Sequence, residues 1–172
     1  MTEHKGWHSR GYLPHFDSPE TVQFVTFRLA DSLPRTVVQA LSSQDESIRQ
    51  IDRQLDSGLG ACWLRQADVA ELVQNAILHF DGERHRILAW CIMPNHVHVV
   101  VEPFDGRRLG AILHSWKSFT ANKANLLVRR AGTFWRDDYF DRYMRDEDHL
   151  MRTTHYVEQN PVKAGLVDTA DN

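Results

Sequence analysis

The sequence predicts an α+β fold: a ferredoxin-like split βαβ antiparallel sheet with packed helices and an extra C-terminal helix. The order of the predicted elements indicates this fold, because a strand and a helical region precede a strand–strand hairpin, which a helix, a strand and a last helix follow. The size agrees, since 172 residues of which 42% are hydrophobic can bury a substantial core. We expect one domain over residues 1–172.

The first part of the chain predicts an arm, a strand and a helical region. Residues 1–20 contain aromatic residues, glycine and proline without a clear period, and we expect an irregular N-terminal arm. Residues 22–29 are rich in β-branched and aromatic side chains, which favours a strand. Pro34 stands where a helix can begin, and the helical pattern continues for about twenty residues, to Gly58 or Gly60.

The middle of the chain predicts a helix and a hairpin. Apolar residues recur at helical spacing over residues 67–80, and an Asp-Gly pair can end that helix. Residues 86–93 predict a strand, and only a Pro-Asn pair separates it from the apolar run at 96–102. Two strands this close in sequence form an antiparallel hairpin, in which a bulge or a slightly longer loop remains open.

The last part predicts helix, strand and helix. Residues 140–144 suit a short strand, and residues 146–160 suit a helix that Pro161 should stop. Before them, residues 109–128 predict a long helix with basic residues outward. The residues expected to face inward on it are Ile112, Leu113, Trp116, Phe119 and Ala124.

The charge distribution favours a nucleic-acid partner, although the net charge is −3. Between residues 107 and 136 there are seven basic residues and no Asp or Glu. A locally positive surface suits a partner that presents phosphates, and a merely solvated helix face is the alternative. We expect phosphate contacts from Arg107, Arg108, Lys117, Lys123, Arg129 and Arg130.

Composition also predicts the compartment. No apolar run approaches the roughly 20 residues that span a bilayer, and the N-terminus shows no signal-peptide pattern. Cys62 and Cys91 lack a Cys-x-x-Cys spacing and cannot form a disulfide framework. We expect reduced, buried thiols in a cytoplasmic protein without a membrane partner.

His96 and His98 are the first candidate functional pair. Alternate side chains of a strand point to one face, so both imidazoles should project together while Val97 and Val99 face a core. Two neutral imidazoles that converge on one point make half of a metal site. The alternative is a pair of polar residues on the solvated face of a half-buried strand.

Tyr156 and Asn160 are the second candidate pair, because residues four apart share one face of a helix. If that face covers the open side of the sheet, a phenol and an amide oxygen both point at the two histidines. Asn160 would then complete a His-His-amide set that suits Mg²⁺ or Mn²⁺. A half-buried packing role is the alternative for Tyr156.

A tyrosine can serve as nucleophile only under special conditions. A phenol with a pKa near 10 attacks poorly unless its target is polarised and aligned, and a divalent ion on a phosphodiester does both. Tyr139 and Tyr143 compete for this role, but their segment resembles sheet and predicts packing. Histidine-triad hydrolases would need a third histidine where Val100 stands, and neither a Gly-x-Ser-x-Gly elbow nor a Walker loop is present.

In these motifs the chain resembles the REP-associated tyrosine transposases, a branch of the single-tyrosine transposases with a His-hydrophobe-His motif. The resemblance covers nearly the whole chain. The His-x-His pair is weakly specific alone, but it becomes specific together with an Asn-Pro-Val-Lys-Ala-Gly run that begins four residues after a helical tyrosine. The matching segments are residues 7–15, 27–34, 93–98, 116–121, 134–135, 139–141 and 156–165.

The resemblance implies a mechanism and site residues. His96 and His98 would bind a divalent metal, Tyr156 would attack DNA, and Asn160 stands where the family places an amide ligand. Such enzymes cut single-stranded DNA beside an imperfect hairpin and leave a 5′ phosphotyrosine link and a free 3′ hydroxyl. Their substrates are repetitive extragenic palindromes (REP elements) of bacterial chromosomes, which implies a cytoplasmic, nucleoid-associated protein.

Three functions therefore compete. The leading hypothesis is a metal-dependent single-stranded DNA endonuclease and strand transferase, in which Trp7, His8 and Tyr12 stack on unpaired bases or enter a groove. Core packing is the alternative for Trp7. The second hypothesis is a non-catalytic DNA-hairpin-binding protein on the same fold, and the third is a metal-dependent phosphohydrolase of small nucleotides. The sequence leaves open whether the protein is a monomer or a homodimer.

Overall fold

A computed structural model of the chain describes residues 6–9, 14–41 and 47–170. The strands in this part are β1 (Gly6–Ser9), β2 (Pro14–Asp17), β3 (Gln23–Arg28), β4 (His85–Ile92), β5 (His96–Pro103) and β6 (Phe140–Tyr143). The helices are α1 (Arg35–Leu41), α2 (Ser47–Asp56), α3 (Ala67–Leu78), α4 (Leu109–Leu127) and α5 (Glu147–Lys163). A short 3₁₀ turn, Trp63–Arg65, precedes α3.

The main sheet confirms the predicted ferredoxin-like architecture. Its four strands lie in the order β4-β5-β3-β6, and each neighbouring pair is antiparallel. The predicted hairpin is formed by β4 and β5, with a register irregularity between Ile87 and Ala89. Along the chain, helices follow β3 and lead into this hairpin, and α4 connects the hairpin to β6, which is the split βαβ connectivity.

Helices cover the two faces of the sheet, and the alternation along β5 decides what each face receives. Val97, Val99 and Val101 point into the larger core, which also contains buried residues of α3 and α4. His96 and His98 point to the opposite face, where Val157 of α5 packs against the sheet. The functional candidates on β5 are therefore enclosed by the second layer of helices.

Helix α2 belongs to this second layer. Its residues Ile51 and Leu55 are buried with Leu33, Val38 and Phe140 in a small separate core. Phe140 pairs with Thr26 in the β3–β6 register, so both point to the same face as His98, the partner of Thr26 on β5. Because α2 and α5 lie on the same face, side chains from both helices can reach the histidines.

The N-terminal segment is more regular than the sequence predicts. Strands β1 and β2 pair antiparallel, from Gly6 opposite Asp17 to Ser9 opposite Pro14. The expectation of an irregular arm is therefore wrong for these residues. Cross-strand packing of Trp7 on Phe16, with ring centroids 5.2 Å apart, favours the pairing although the sequence shows no two-residue period.

Two details of the predicted helices are also wrong. Phe119 was expected to face inward on α4, but 48% of it is exposed and the Lys123 ammonium lies 4.5 Å from its ring centre. Pro161 was expected to stop α5, but the helix continues to Lys163. Proline removes one donor only, and the backbone N–H of Ala164 still donates to Asn160, so one further turn forms.

The helical region predicted to follow Pro34 forms two helices, α1 and α2. Residues 42–46, between them, lie outside the described part of the chain. None of the helices described is long and apolar enough to cross a membrane.

The loop after α2 ties this helix to the β4–β5 turn. The carbonyl of Leu59 accepts a hydrogen bond from the Asn95 side chain, and the backbone N–H of Ala61 donates to Asp31. Gly60 between them has φ +88, and a Cβ there would lie 2.8 Å from the Asp31 carbonyl oxygen. Only glycine fits this position without movement of the backbone.

We expect Gly60→Ala to lower the free energy of unfolding by at least about 2 kcal/mol, because backbone strain and a backbone clash add together. Gly58→Ala is the matched control, since Gly58 has φ +73 but open space at the Cβ position. That variant should lose only about 1 kcal/mol. Urea unfolding of both variants checks the difference, and equal losses would show that the contact with Asp31 is unimportant.

Candidate active site

The two histidines of β5 face each other. Their Nε2 atoms lie 3.1 Å apart, and both side chains are fully buried. The proposal that they stand on a solvated strand face is therefore wrong. Strand alternation brings them together, as predicted, and the helices above the sheet remove them from water.

Asn95 fixes the tautomer of His96. The amide nitrogen of Asn95 donates to the Leu59 carbonyl at 2.9 Å, which orients the amide so that its oxygen faces His96. That oxygen lies 2.8 Å from Nδ1 of His96 and can only accept, so Nδ1 carries the proton. The Nε2 atom of His96 therefore presents a lone pair toward His98.

Thr26 completes the support on the other side. Its hydroxyl lies 2.7 Å from Nδ1 of His98, the residue opposite it in the β3–β5 register. When this hydroxyl accepts the Nδ1 proton, Nε2 of His98 also presents a lone pair. Two lone pairs 3.1 Å apart repel each other unless a proton or a cation lies between them. In the other neutral tautomer of His98, the Thr26 hydroxyl donates to Nδ1 and the Nε2 proton lies between the rings, so this gap accepts either a proton or a cation.

Burial keeps both imidazoles neutral. It lowers the pKa of His98 to about 4. Burial, followed by the neighbouring His98, lowers the pKa of His96 well below its ordinary range. At neutral pH neither ring is protonated to imidazolium, which leaves the nitrogen lone pairs available to a metal.

A carboxylate of α2 lies beside the pair. Oδ1 of Asp56 is 3.8 Å from Nε2 of His96, and burial raises the pKa of this half-exposed carboxyl. In the ranges 6–9, 14–41 and 47–170, no three His, Cys, Asp or Glu side chains already form a metal-binding group. A metal bound by the two histidines would therefore need a third ligand of a different donor type or a carboxylate that moves closer.

Tyr156 of α5 reaches the same place, as the sequence predicts. Its ring centroid lies 5.8 Å from that of His98. Phe24 of β3 stacks on His98 at 5.3 Å and meets Tyr156 edge-on at 6.2 Å, so three rings pack together. Tyr156 remains half-buried, which leaves part of it open to a substrate.

The phenol of Tyr156 donates a hydrogen bond to Asp52 of α2. The distance from Oη to Oδ2 is 2.9 Å, although the two residues are 104 positions apart. Burial raises the pKa of Asp52 to about 7, and the hydrogen bond from Tyr156 opposes this rise. Burial, together with the Asp52 charge, raises the pKa of Tyr156 above its ordinary value. The site therefore pairs a protonated phenol with a carboxyl that titrates near neutrality.

Asn160 lies one turn after Tyr156, and its side chain is buried. Its amide nitrogen has no hydrogen-bond partner within the described residues. A buried amide without a partner is unusual in a structural position. Its predicted role as a metal ligand stays a prediction.

Cys91 is the other reactive group near the histidines, since it stands opposite His98 in the β4–β5 register. Burial raises its pKa to about 12. The thiol therefore stays protonated at neutral pH, which makes it a poor nucleophile. Cys62 and Cys91 are both free and buried.

The predicted phosphate-binding residues stand on and around α4, which packs on the opposite face of the sheet. Three of them already have hydrogen-bond or ion-pair partners: Arg108 pairs with Asp17 at 3.1 Å, Lys117 donates to the Asp137 carbonyl, and Arg130 donates to the Thr133 carbonyl. Burial lowers the pKa of Lys117 to about 8. Those that reach the surface are Arg107, Lys123, Arg129 and the partly exposed Arg130.

The predicted base-stacking residues lie on the β1–β2 hairpin or outside the described residues. Trp7 packs against Phe16 and Tyr143, yet 64% of it is exposed, so packing uses only part of the ring. The Nδ1 atom of His8 lies 3.1 Å from the Gly6 carbonyl oxygen. Tyr12 lies outside the described part of the chain.

Sequence reasoning missed the side chains that support the two pairs. Asp52 and Asp56 appear in the sequence only as part of an acidic helix, although each directly follows a buried residue, Ile51 and Leu55. Two carboxylates four residues apart beside an apolar stripe lie at the border of a helix's buried face. This spacing in the sequence could have identified both aspartates as candidates for the site.

Comparison with known proteins gives a family and a fold. The family described as "Transposase IS200 like" matches residues 64–160, more than half of the chain, and this segment contains both candidate pairs. The structure of a REP-associated tyrosine transposase bound to a REP hairpin is similar, with a TM-score of 0.60 and 14% identity. The match covers 99% of this chain and 78% of that one, and it supports the fold alone.

A second structure, from Deinococcus radiodurans R1 and provisionally assigned as a transposase, matches with a TM-score of 0.41. It has 14% identity and covers 88% of this chain and 95% of that one. This likeness is too weak to bear on fold or function. No curated protein matches the chain.

The raised pKa of Asp52 predicts how stability depends on pH. The pKa is about 7 in the folded protein against an ordinary value of 3.8, so between these values the folded state holds more protons. The free energy of unfolding therefore falls as the pH rises through this window. Below 3.8 the neutral carboxyl carries no such penalty, and above 7 the penalty is complete.

We expect the free energy of unfolding of the wild type, relative to Asp52→Asn, to fall by on the order of 2 kcal/mol between about pH 5 and about pH 7.5. The asparagine variant cannot ionise at this position and keeps every other titrating group. Urea unfolding at a series of pH values measures the difference. A difference that stays constant with pH would contradict the raised pKa.

Proposed function

Because the chain belongs to the IS200-like transposase family, we propose that it is a metal-dependent single-stranded DNA endonuclease and strand transferase with Tyr156 as nucleophile. The observation that carries this proposal is the position of the Tyr156 ring, 5.8 Å from His98 on the buried histidine pair. A phenol that only packed against the sheet would need neither the paired imidazoles nor a carboxylate at its hydroxyl.

The proposed reaction is a phosphoryl transfer to the tyrosine. Oη of Tyr156 attacks a DNA phosphorus, the 5′ side of the break becomes a phosphotyrosine ester, and the 3′ oxygen leaves as a hydroxyl. The ester stores the cleaved bond and permits rejoining to another 3′ hydroxyl. This two-step use of one residue suits a transposase, since cleavage and strand transfer share a single intermediate.

His96 and His98 would hold the divalent cation, Mg²⁺ or Mn²⁺, with their Nε2 atoms. Bound there, the cation would polarise the non-esterified oxygens of the phosphodiester. Asn95 holds the His96 ring in the tautomer that presents Nε2, and Thr26 would do the same for His98 by accepting its Nδ1 proton. Asn160 is our proposed amide ligand, through its side-chain oxygen, because its buried side chain lies one helical turn after Tyr156 on α5.

We propose a DNA hairpin of the REP type as the substrate. The similar structure that is bound to a REP hairpin supports a hairpin ligand. Exposed cations on the α4 side would contact phosphates, and Trp7 and His8 would contact bases. Arg108 and Lys117 would have to release the Asp17 and Asp137 contacts first, so they contribute less than the sequence alone suggests.

We expect Tyr156→Phe to abolish the covalent protein–DNA adduct while hairpin binding survives, since only the attacking oxygen is removed. Incubation with a labelled single-stranded hairpin and Mn²⁺, followed by a denaturing gel, detects the adduct. Tyr143→Phe is the matched control and should form adduct at the wild-type rate, because that residue packs in β6 beside Phe16.

The same experiment separates the competing functions. A wild-type protein that binds the hairpin without forming an adduct would support the non-catalytic binding protein instead. Turnover of small nucleotides without DNA binding would support a phosphohydrolase. An adduct that persists in Tyr156→Phe would remove Tyr156 from its proposed role.

We expect Asn95→Ala to weaken Mn²⁺ binding by about ten- to hundredfold, because the His96 ring loses the acceptor that orients it. His96→Ala should lose the site entirely. Isothermal titration with Mn²⁺ measures both effects on protein whose folding is checked by circular dichroism. Asn75→Ala, which removes an exposed amide of α3, is the control and should bind Mn²⁺ as the wild type does. If Asn75→Ala loses as much affinity as Asn95→Ala, the hydrogen bond from His96 to Asn95 does not support the site.

A further inference from the structure

Asp52 occupies an unusual position for an acidic residue. Only 5% of it is exposed, and one oxygen, Oδ2, accepts a hydrogen bond from the Tyr156 hydroxyl, whose oxygen is 2.9 Å away. The other oxygen, Oδ1, is buried without a hydrogen-bond partner in residues 6–9, 14–41 and 47–170. A carboxylate that served only to anchor the tyrosine would be costly here, because a buried oxygen without a partner destabilises the fold.

The imidazoles and the thiol near Tyr156 are already committed, and the other nearby carboxylate, Asp56, lies beside Nε2 of His96 at 3.8 Å. The Nδ1 atoms of His96 and His98 bond to Asn95 and Thr26, and their Nε2 atoms face each other. The Cys91 thiol stays protonated because burial raises its pKa to about 12. Oδ2 of Asp52 therefore stands in hydrogen-bond contact with the attacking oxygen while the neighbouring imidazoles and thiol do not take its proton.

We propose that Asp52 is the general base that removes the Tyr156 proton during DNA cleavage and returns it during rejoining. This inference rests on the proposed function, since it assigns a residue to that reaction. Asp52 touches the reacting oxygen directly, so the assignment is a catalytic one. It adds a residue from α2 to a site otherwise built from β5 and α5.

The step balances as follows. The Oη–H bond of Tyr156 breaks, its proton passes to Oδ2 of Asp52, and the Oη electron pair forms the new bond to phosphorus. The bond from phosphorus to the 3′ oxygen breaks, and that oxygen takes a proton from water. In rejoining, a 3′ hydroxyl attacks the phosphotyrosine and loses its proton to water, the bond from phosphorus to Oη breaks, and the departing phenolate recovers its proton from the neutral Asp52 carboxyl.

The raised pKa of Asp52, about 7, agrees with this role, because a base that must also return its proton works best near the ambient pH. The charged and titratable groups facing it are Tyr156 from α5, Asp56 from its own helix and Cys91 from β4. The charge of Asp52 in turn helps to raise the pKa of Asp56, as like charges do.

Asp52→Asn tests the inference, because it keeps the shape of the side chain and removes the base. We expect the single-turnover rate of adduct formation on the labelled hairpin to fall by at least about a hundredfold, with hairpin affinity unchanged. Glu71→Gln makes the same carboxylate-to-amide change on the exposed face of α3 and should react at the wild-type rate.

A more acidic phenol distinguishes catalysis from positioning. A ring-fluorinated tyrosine incorporated at position 156 ionises more readily and needs a base less, so it should recover much of the rate lost in Asp52→Asn. If the fluorinated residue restores nothing, Asp52 acts through structure and the inference is overturned. An unchanged rate in Asp52→Asn also overturns it. Failure of the wild type to form any adduct would instead refute the proposed reaction, and the inference with it.

Discussion

The site depends on the burial of both faces of β5. A strand enclosed on both sides must give every polar side chain a hydrogen-bond partner, because water is excluded. For His96 and His98 these partners are Asn95 and Thr26, and the bonds consume the outer ring nitrogens. The inner nitrogens then face each other at 3.1 Å, with the Asp56 carboxylate 3.8 Å from that of His96. Neutral rings and a gap that accepts either one proton or one cation follow from this enclosure.

The enclosure also explains why the acid beside Tyr156 is destabilising and yet retained. Ile51 and Leu55 of α2 are buried in a core, and because α2 packs there, the adjacent Asp52 is buried as well. The apolar contacts offset the penalty of the buried carboxyl, so the protein can hold a group with a strongly shifted pKa. Perturbed acids held by a rigid scaffold are typical of functional sites, since stability and reactivity place opposite demands on the same residue.

Local periodicity explains which features the sequence could predict. The alternation in β5 placed His96 and His98 on one face, and the helical repeat placed Tyr156 and Asn160 on another, so both pairs were found. The contact between Asp52 and Tyr156 joins residues 104 positions apart and leaves no local pattern. Phe119 was misplaced for a related reason, because a helical repeat identifies a face without deciding how far the neighbouring elements cover it.

The sheet separates the histidine face from the basic residues of α4. This separation restricts how one nucleic acid could contact both surfaces. Val97 and His96 are adjacent in sequence, yet one faces the core of α3 and α4 and the other faces α2. A nucleic-acid strand that contacted Lys123 and also reached Tyr156 would therefore pass around an edge of the sheet.

The β6 edge of the sheet carries Tyr143, against which Trp7 of the β1–β2 hairpin packs. An aromatic surface at this edge can stack on unpaired bases, whereas a continuous duplex is too stiff to bend around it. The substrate proposed above, with a single-stranded segment next to its paired part, would meet this restriction.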